Sequence, residues 1–393
     1  MQSACRKCLY NTSHPFGLTL NNGECSGCLT HKEKDFFDWE IKRLELLNVL
    51  KKYKTSGRKY DCVVPVVGDA EDFYTLSKVM ELGLAPLVVA VNDYFRNDIG
   101  WHNIHQLITF FDVDSFIFNP DIRVYKELVK TSLRKYNHIL LPFLQLHTSF
   151  PVHVAVERRI PLVIWGQNQA IEQVGKFSHA DEVQMSRWSR KQHDLFGVEV
   201  ETLIGTGAQV NTRCLNYYHY PSIVRLNGQS VVGLYLSNYM RWDPLSQNKS
   251  VVSFGFHPQK NSASFDIYER AGSSIYYKLH DLLKFKRTGY RKVRDHLVRE
   301  LRHGRLDRGT AANMDRLYSE TPVNIKPFFD WLGVTKSGYE WFIKHRLFDV
   351  QHLITEDTSP VQSVIMPTPI QRLLCDAESS DEDFLIFDKG ITI

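Results

Sequence analysis

Between residues 60 and 165 short apolar runs alternate with helical patterns, without an internal sequence repeat. Residues 62–67, 84–91, 115–118, 139–143 and 161–165 read as strands, and 72–82, 99–111, 123–136 and 149–158 read as the helices between them. Strands that are apolar on both faces and separated by helices predict a parallel, doubly wound α/β sheet. In such sheets ligands bind beyond the carboxyl ends of the strands, where the strand order switches. Residues 67–72, 92–97, 142–149 and 166–173 fall along that rim.

The flanks differ from this alternation. The first 28 residues carry Cys5-x-x-Cys8 and Cys25-x-x-Cys28, the spacing of a ribbon in which two knuckles supply two thiolates each. Four thiolates close a tetrahedral shell, so the expected role is structural Zn²⁺, with a disulfide pair or an iron–sulfur site as the alternatives. His14 reads as a loop residue, and Cys62, Cys214 and Cys375 as scattered single thiols. Residues 37–50 form an amphipathic helix with Phe37, Ile41, Leu44, Leu47 and Leu50 as its apolar face. Past about residue 200 the strand–helix alternation fades. A strongly basic helical stretch follows, then another helical pair, then an acidic tail containing "DAESSDEDF". The expected organisation is a ribbon over 1–34, the α/β domain over 35–215, a mixed and helical region over 216–355 for substrate or partner, and a tail over 356–393.

Composition narrows the function classes. A net charge of +4 over 393 residues is too small a bias to predict a nucleic-acid binder. No apolar stretch reaches the roughly 20 residues of a membrane span, and the N-terminus lacks a signal-peptide core, so a soluble cytoplasmic chain is expected.

The rim loop "VGDAED" (67–72) is the natural place for a phosphate. Backbone N–H groups after Gly68, at a helix N-terminus, attract anions, although α/β folds also turn at glycine for steric reasons alone. Asp69, Glu71 and Asp72 repel a phosphate unless Mg²⁺ or distant basic residues intervene.

The segments "CRKCLYNTSHPFGLTLNNGECSGCLTHKEKDFFDW", "YDCVVPVVGDAEDFYTL", "LPFLQLHTSFP", "IPLVIWGQNQAIEQVG", "YLSNYMRWDP" and "VRDHLVRELRHGRLDRGTA" together resemble, in this order, the N-acetyl sugar amidotransferase family of surface-polysaccharide (O-antigen, lipopolysaccharide) biosynthesis. That family is similar to the PP-loop ATP pyrophosphatases, whose loop reads Ser-Gly-Gly-x-Asp-Ser; here the positions hold Val67, Gly68, Asp69, Ala70, Glu71 and Asp72.

The resemblance implies a PP-loop-like (HUP-like) sheet with an N-terminal zinc ribbon and a helical C-terminal region. It also implies an ATP- and Mg²⁺-dependent conversion of an acetamido group on a nucleotide-linked N-acetyl sugar to acetamidino. Ammonia would come from a separate glutaminase subunit with its barrel partner, since none of the single cysteines sits in a nucleophile elbow. On this reading Gly68, Asp69 and Asp72 bind the cofactor, with Asp72 and Glu172 as catalytic or metal-holding carboxylates. Trp165, Gln167 and His147 shape the substrate pocket, and Arg299, Arg302 and Arg305 face the diphosphate. The plainer readings are a core aromatic for Trp165, a satisfied loop histidine for His147, and a solvated face for the basic helix. Two other functions stay open: a degenerate, non-catalytic relative acting as a sugar-nucleotide- or glutaminase-binding scaffold, and an RNA-modifying enzyme.

Overall fold

The computed structural model describes residues 3–54, 57–205, 207–260, 263–272, 275–356 and 366–374. A small antiparallel hairpin, β1 (Leu20–Asn21) and β2 (Glu24–Cys25), belongs to the cysteine-rich segment. The main sheet holds β3 (Cys62–Val66), β4 (Pro86–Val91), β5 (Ser115–Phe118), β6 (Leu162–Trp165) and β7 (Val232–Tyr235), all parallel. Their spatial order is β5-β4-β3-β6-β7, so the chain reverses direction across the sheet between β3 and β6.

The period of two explains why both faces must be covered. Val63, Leu87, Val89 and Val91 point into one core cluster, whereas Cys62, Val64, Val66, Val88 and Ala90 point into the other. The helices Ile122–Tyr136 and Leu141–Arg158 close the first face, and Ala70–Glu81 and Asp98–Phe110 the second. β5 and β7 are the edge strands, and the first two residues of β5 are exposed.

Four strands stand where the apolar runs predict them, and two expectations fail. Residues 139–143 are not a strand; they lead into the helix Leu141–Arg158, which is buried on nearly every side. A short apolar run reads the same in a buried strand and in a buried helix, and Pro142 in the first helical turn, where a missing N–H costs nothing, belongs to the helix. The fifth strand is instead Val232–Tyr235, beyond the expected domain limit at 215, so the sheet draws on both sides of that boundary.

The helix Trp39–Lys51 is N-capped by Asp38, and its face is rotated from the expected one. It buries Leu46 and Leu50 and leaves Ile41 and Leu44 exposed. Most of the acidic tail lies outside the described residues. Residues 366–374 pack on the core: Ile370 is buried, and Tyr268 Oη donates to the Leu373 carbonyl at 2.6 Å. No helix among the described residues is long and apolar enough to cross a membrane.

Candidate active site at the sheet switch point

The four N-terminal cysteines are buried, and their sulfurs lie within 4.8 Å of one another. Cys5 and Cys28 Sγ are 4.0 Å apart, and Cys8 and Cys25 Sγ 3.6 Å. Thiolates at ~2.3 Å from a tetrahedral zinc sit about 3.8 Å from each other, whereas a disulfide needs ~2.05 Å. The donor set therefore fits a closed four-thiolate shell. Backbone N–H groups of Lys7 and Cys25 donate to Cys5 Sγ at 3.4 and 3.3 Å, and that of Tyr10 to Cys8 Sγ at 3.5 Å. His14 stands outside the shell and packs on Tyr10 and Tyr290.

The cysteine-rich segment is docked on the core. Tyr10 Oη donates to Asp295 Oδ1 at 2.6 Å, Ser26 Oγ to the Val174 carbonyl at 2.6 Å, and Arg302 Nη2 approaches Cys25 Sγ at 3.8 Å. Tyr10, Phe16 and His31 thereby become part of the wall of a cavity of about 390 Å³, whose floor is the carboxyl ends of β3 and β6.

The loop after β3 differs from an open phosphate cradle. Asp72 Oδ2 accepts the backbone N–H groups of Val67, Gly68 and Asp69 at 2.7, 2.8 and 3.0 Å. Asp72 is thus the anion at this helix N-terminus, and the donors expected to hold phosphate are engaged by the chain itself. Gly68 has a steric reason as well: its φ is +91°, and a Cβ there would lie 2.8 Å from Ile104 Cγ1. Burial, then the neighbouring Asp69 charge, push the Asp72 carboxyl up to about 7 against those three hydrogen bonds.

Glu71 reaches across the switch point. Its Oε1 accepts the Gln167 backbone N–H at 2.8 Å, which ties β3 to β6. Gly166 makes this possible, because a Cβ there would stand 2.4 Å from Glu71 Oε1. Burial pushes the Glu71 carboxyl up to about 8, so it is mostly protonated at neutral pH. Trp165 is half-buried with its indole N–H unpartnered among the described residues, and it meets the His147 ring edge-on at 5.5 Å. His147 lies on a helix, not in a loop, and burial lowers its pKa to about 3. Trp165, Gln167, His147, Asp69, Asp72 and Glu172 all line the one cavity.

The basic helix does not present a row of open guanidinium groups. Arg299 Nη2 binds Asp266 at 2.8 Å and its Nε binds Glu300 at 2.6 Å; Arg305 holds Asp243 through two contacts of 2.8 Å and Glu300 through a third. Arg302 Nη1 donates to the carbonyls of Glu172 and Gln173 at 2.9 Å. Arg291, Arg294 and Arg308 are likewise engaged, by Thr321, Asp315 and Cys8. Arg299 and Arg302 line the cavity, and with Arg305 they are paired within the chain, where they form the joint between the helix Lys292–Arg302, the cysteine-rich segment and the sheet. Glu172, expected as an acid or metal partner, is also a tie: its Oε2 meets Lys34 Nζ at 2.5 Å, and both side chains are buried.

The cations and acids of the opposite wall carry no motif in the sequence. Arg270 has φ +62° just before the Ala271-Gly272 turn, and its Nε is buried without a partner among the described residues. Burial works against its charge, but Asp69 and Glu269 hold the pKa above the ordinary value. Beside it, Glu269 binds Lys292 at 2.9 Å and His296 at 2.6 Å, and His296 Nδ1 meets Ser264 Oγ at 2.5 Å. Of this wall, only Asp295-His296 stands out in the sequence, as a polar pair within the basic helix.

No protein-family model and no curated protein matches the chain. Among solved structures, the NMN synthetase from Francisella tularensis aligns at 13% identity, covering 49% of this chain and 96% of that one, with a TM-score of 0.28. A TM-score that low carries neither fold nor activity across.

Proposed function

We propose that the chain is the ATP-dependent subunit of an amidotransferase acting on the acetamido group of a nucleotide-linked sugar. The observation that carries this reading is the position of Glu71. It is a part-buried carboxyl at the strand-order switch, held by the Gln167 N–H on the wall of the same cavity that Arg270 lines. Ligands of doubly wound sheets bind at this place, and the sequence resemblance supplies the reaction.

An amide oxygen leaves poorly. ATP would supply the activation by adenylating that oxygen with release of pyrophosphate; ammonia would then attack the carbon, and AMP would leave carrying the former amide oxygen. Among this chain's residues, Arg270 and Lys292 would face the anionic groups, and Asp69 and Asp72 would hold Mg²⁺. Glu71, protonated in the resting site, would hold or deliver a proton at the reacting amide. The buried four-thiolate set would hold zinc away from the reaction, and a glutaminase partner would bring ammonia.

A second reading, a scaffold that binds sugar nucleotide without turning it over, is favoured by one observation: Asp72 fills the loop donors and the arginine row is paired internally.

One experiment separates the two. The protein is incubated with Mg-ATP, UDP-linked N-acetylated sugars and an ammonium salt, and AMP is followed by mass spectrometry together with replacement of the sugar's amide oxygen by nitrogen. Both products together are expected. Their absence, with binding of one of those sugars intact, moves the chain to the scaffold reading.

A further inference from the structure

Beyond Trp165 the cavity continues to a wall made by Phe16 of the cysteine-rich segment and by His193, Asp194 and Phe196. Residues Arg190–Asp194 form a π-type turn, the widened helical geometry that is frequent at functional sites. The turn is fixed from behind. Buried Arg190 donates to Thr148 Oγ1 at 2.7 Å, to Glu199 at 3.2 Å and to the Gln145 carbonyl at 3.0 Å.

His193 is 5% exposed and stacks on Phe16 at 4.3 Å, and neither of its ring nitrogens has a partner among the described residues. The Nε1 of Trp165 and the Nδ1 of His147, His138 and His280 are buried in the same cavity and equally unpartnered. Burial holds the His193 imidazole down to about 3, so it stays neutral. A neutral imidazole offers one donor and one acceptor, and buried polar atoms of this kind are normally satisfied.

The chemistry of the wall selects what can satisfy them. Its polar atoms are uncharged imidazoles, an indole N–H and one carboxyl that burial pushes up to about 7. The arginines at this end are engaged, Arg190 as above and Arg287 with the Asn137 carbonyl. Arg287 keeps its positive charge at the cavity wall, since a carbonyl does not neutralise it, but the unpartnered polar atoms of this end are neutral, and the aromatic walls of Phe16, Phe196 and Tyr235 suit a flat group.

We propose that this end of the cavity is a subsite for an uncharged planar group presenting N–H and C=O side by side, with the His193 imidazole and the Asp194 carboxyl as its complementary edge. On the sugar-nucleotide reading, on which the source of the group rests, it is either the imide of a pyrimidine base or the acetamide of the sugar. Phe16 then gives the cysteine-rich segment a place in ligand binding.

The test uses the full-length, zinc-loaded chain and two probes that share a phosphate and differ in the neutral part: UMP and N-acetylglucosamine 1-phosphate. His193→Phe keeps the ring against Phe16 and removes both nitrogens; Asp194→Leu removes the carboxyl. Losing one buried hydrogen bond lowers affinity by about tenfold, with melting temperatures recorded alongside. A loss for UMP alone places the base in the subsite, and a loss for the acetamido sugar alone places the acetamide there. Unchanged affinity for both probes in both folded variants, or no binding of either probe by the wild type, overturns the proposal. The amidotransferase reading is judged separately, by AMP release. A wild type that turns over while both variants keep full affinity sinks the subsite and leaves that reading standing; variants that lose affinity in a chain releasing no AMP do the reverse.

Discussion

Replacing Asp72 with alanine tests the loop most directly, because one oxygen of that side chain receives three backbone donors. The substitution removes the N3 side of a capping box whose N-cap is Asp69, worth about 0.5–2 kcal/mol. It also leaves N–H groups that had faced a carboxylate, at about 1.5–3 kcal/mol for such a bond. Cavity water recovers part of this, and so does relief from burying a carboxyl whose pKa is raised to about 7. A net loss of about 3 kcal/mol is expected. With an unfolding entropy of ~2.1 cal/mol/K per residue over 393 residues, that is a fall in Tm of about 4 °C. Asp72→Asn retains an oxygen acceptor and resembles the protonated acid, so it should melt within about 1 °C of wild type. The freed donors in Asp72→Ala should also take an anion: pyrophosphate should raise the variant's Tm more than the wild type's. Thermal melts with amide hydrogen exchange at Gly68 and Asp69 read both effects. If Asp72→Ala melts like wild type and those two amides stay equally protected, the carboxylate does not hold the loop and the reasoning fails.

Burial lifts Glu71 from 4.5 to about 8, so its protonated form favours the folded state. Its contribution is full below about pH 4.5 and is lost as pH rises through 8, amounting to about 2 kcal/mol after allowing for cavity water. Glu71→Gln, which cannot ionise, should therefore flatten that part of the stability profile in urea titrations run from pH 5 to 9; an unchanged slope would exclude the group. Glu172→Gln should destabilise by about 3 kcal/mol, because it leaves the Lys34 ammonium buried and unpaired, whereas Lys34→Met with Glu172→Leu should recover most of the loss. Equal losses in the single and double variants would show that the pair is not coupled. Cys8→Ser should abolish zinc retention measured by elemental analysis and lower Tm; a zinc-free variant of normal stability would remove the structural role.

The sequence reveals what is local. Two knuckles, a glycine turn after a strand and a two-sided apolar run each need only a few neighbouring residues. They suffice for the thiol cluster, for four of the five strands and for the rim on which Asp72, Trp165 and Gln167 sit. Val232–Tyr235 escapes because four residues show no usable period, and 139–143 misleads because a helix buried all round loses its own period. The arginines mislead for a different reason. Their spacing shows that they share a helix, but apart from Glu300 on that same helix their acidic partners, Asp266 and Asp243, lie 33 and 62 residues away and carry no helical relation to them. Arg270 and Asp194 are invisible for the same cause, since only the fold brings them to the cavity.

Three carboxylates in the loop argue against an anionic ligand when they are counted along the chain, but the folded loop carries less charge. Burial lifts Glu71 to about 8 and Asp72 to about 7, so at pH 7 the two together bear less than the two negative charges counted along the chain. Arg270 offsets part of that across the cavity, and Lys292 stands behind Glu269. The low charge depends on burial, and the burial depends on the cysteine-rich segment that walls the cavity through Tyr10, Phe16 and His31. Removing the metal should therefore do more than loosen the N-terminus. As water enters, Glu71 and Asp72 ionise at lower pH, and the cavity becomes more repulsive toward phosphate. Chelation should then weaken the binding of UDP-linked sugars more strongly at pH 7 than at pH 5.5, where both carboxyls stay protonated even with partial hydration. Equal weakening at both pH values would disconnect the metal from the charge of the loop.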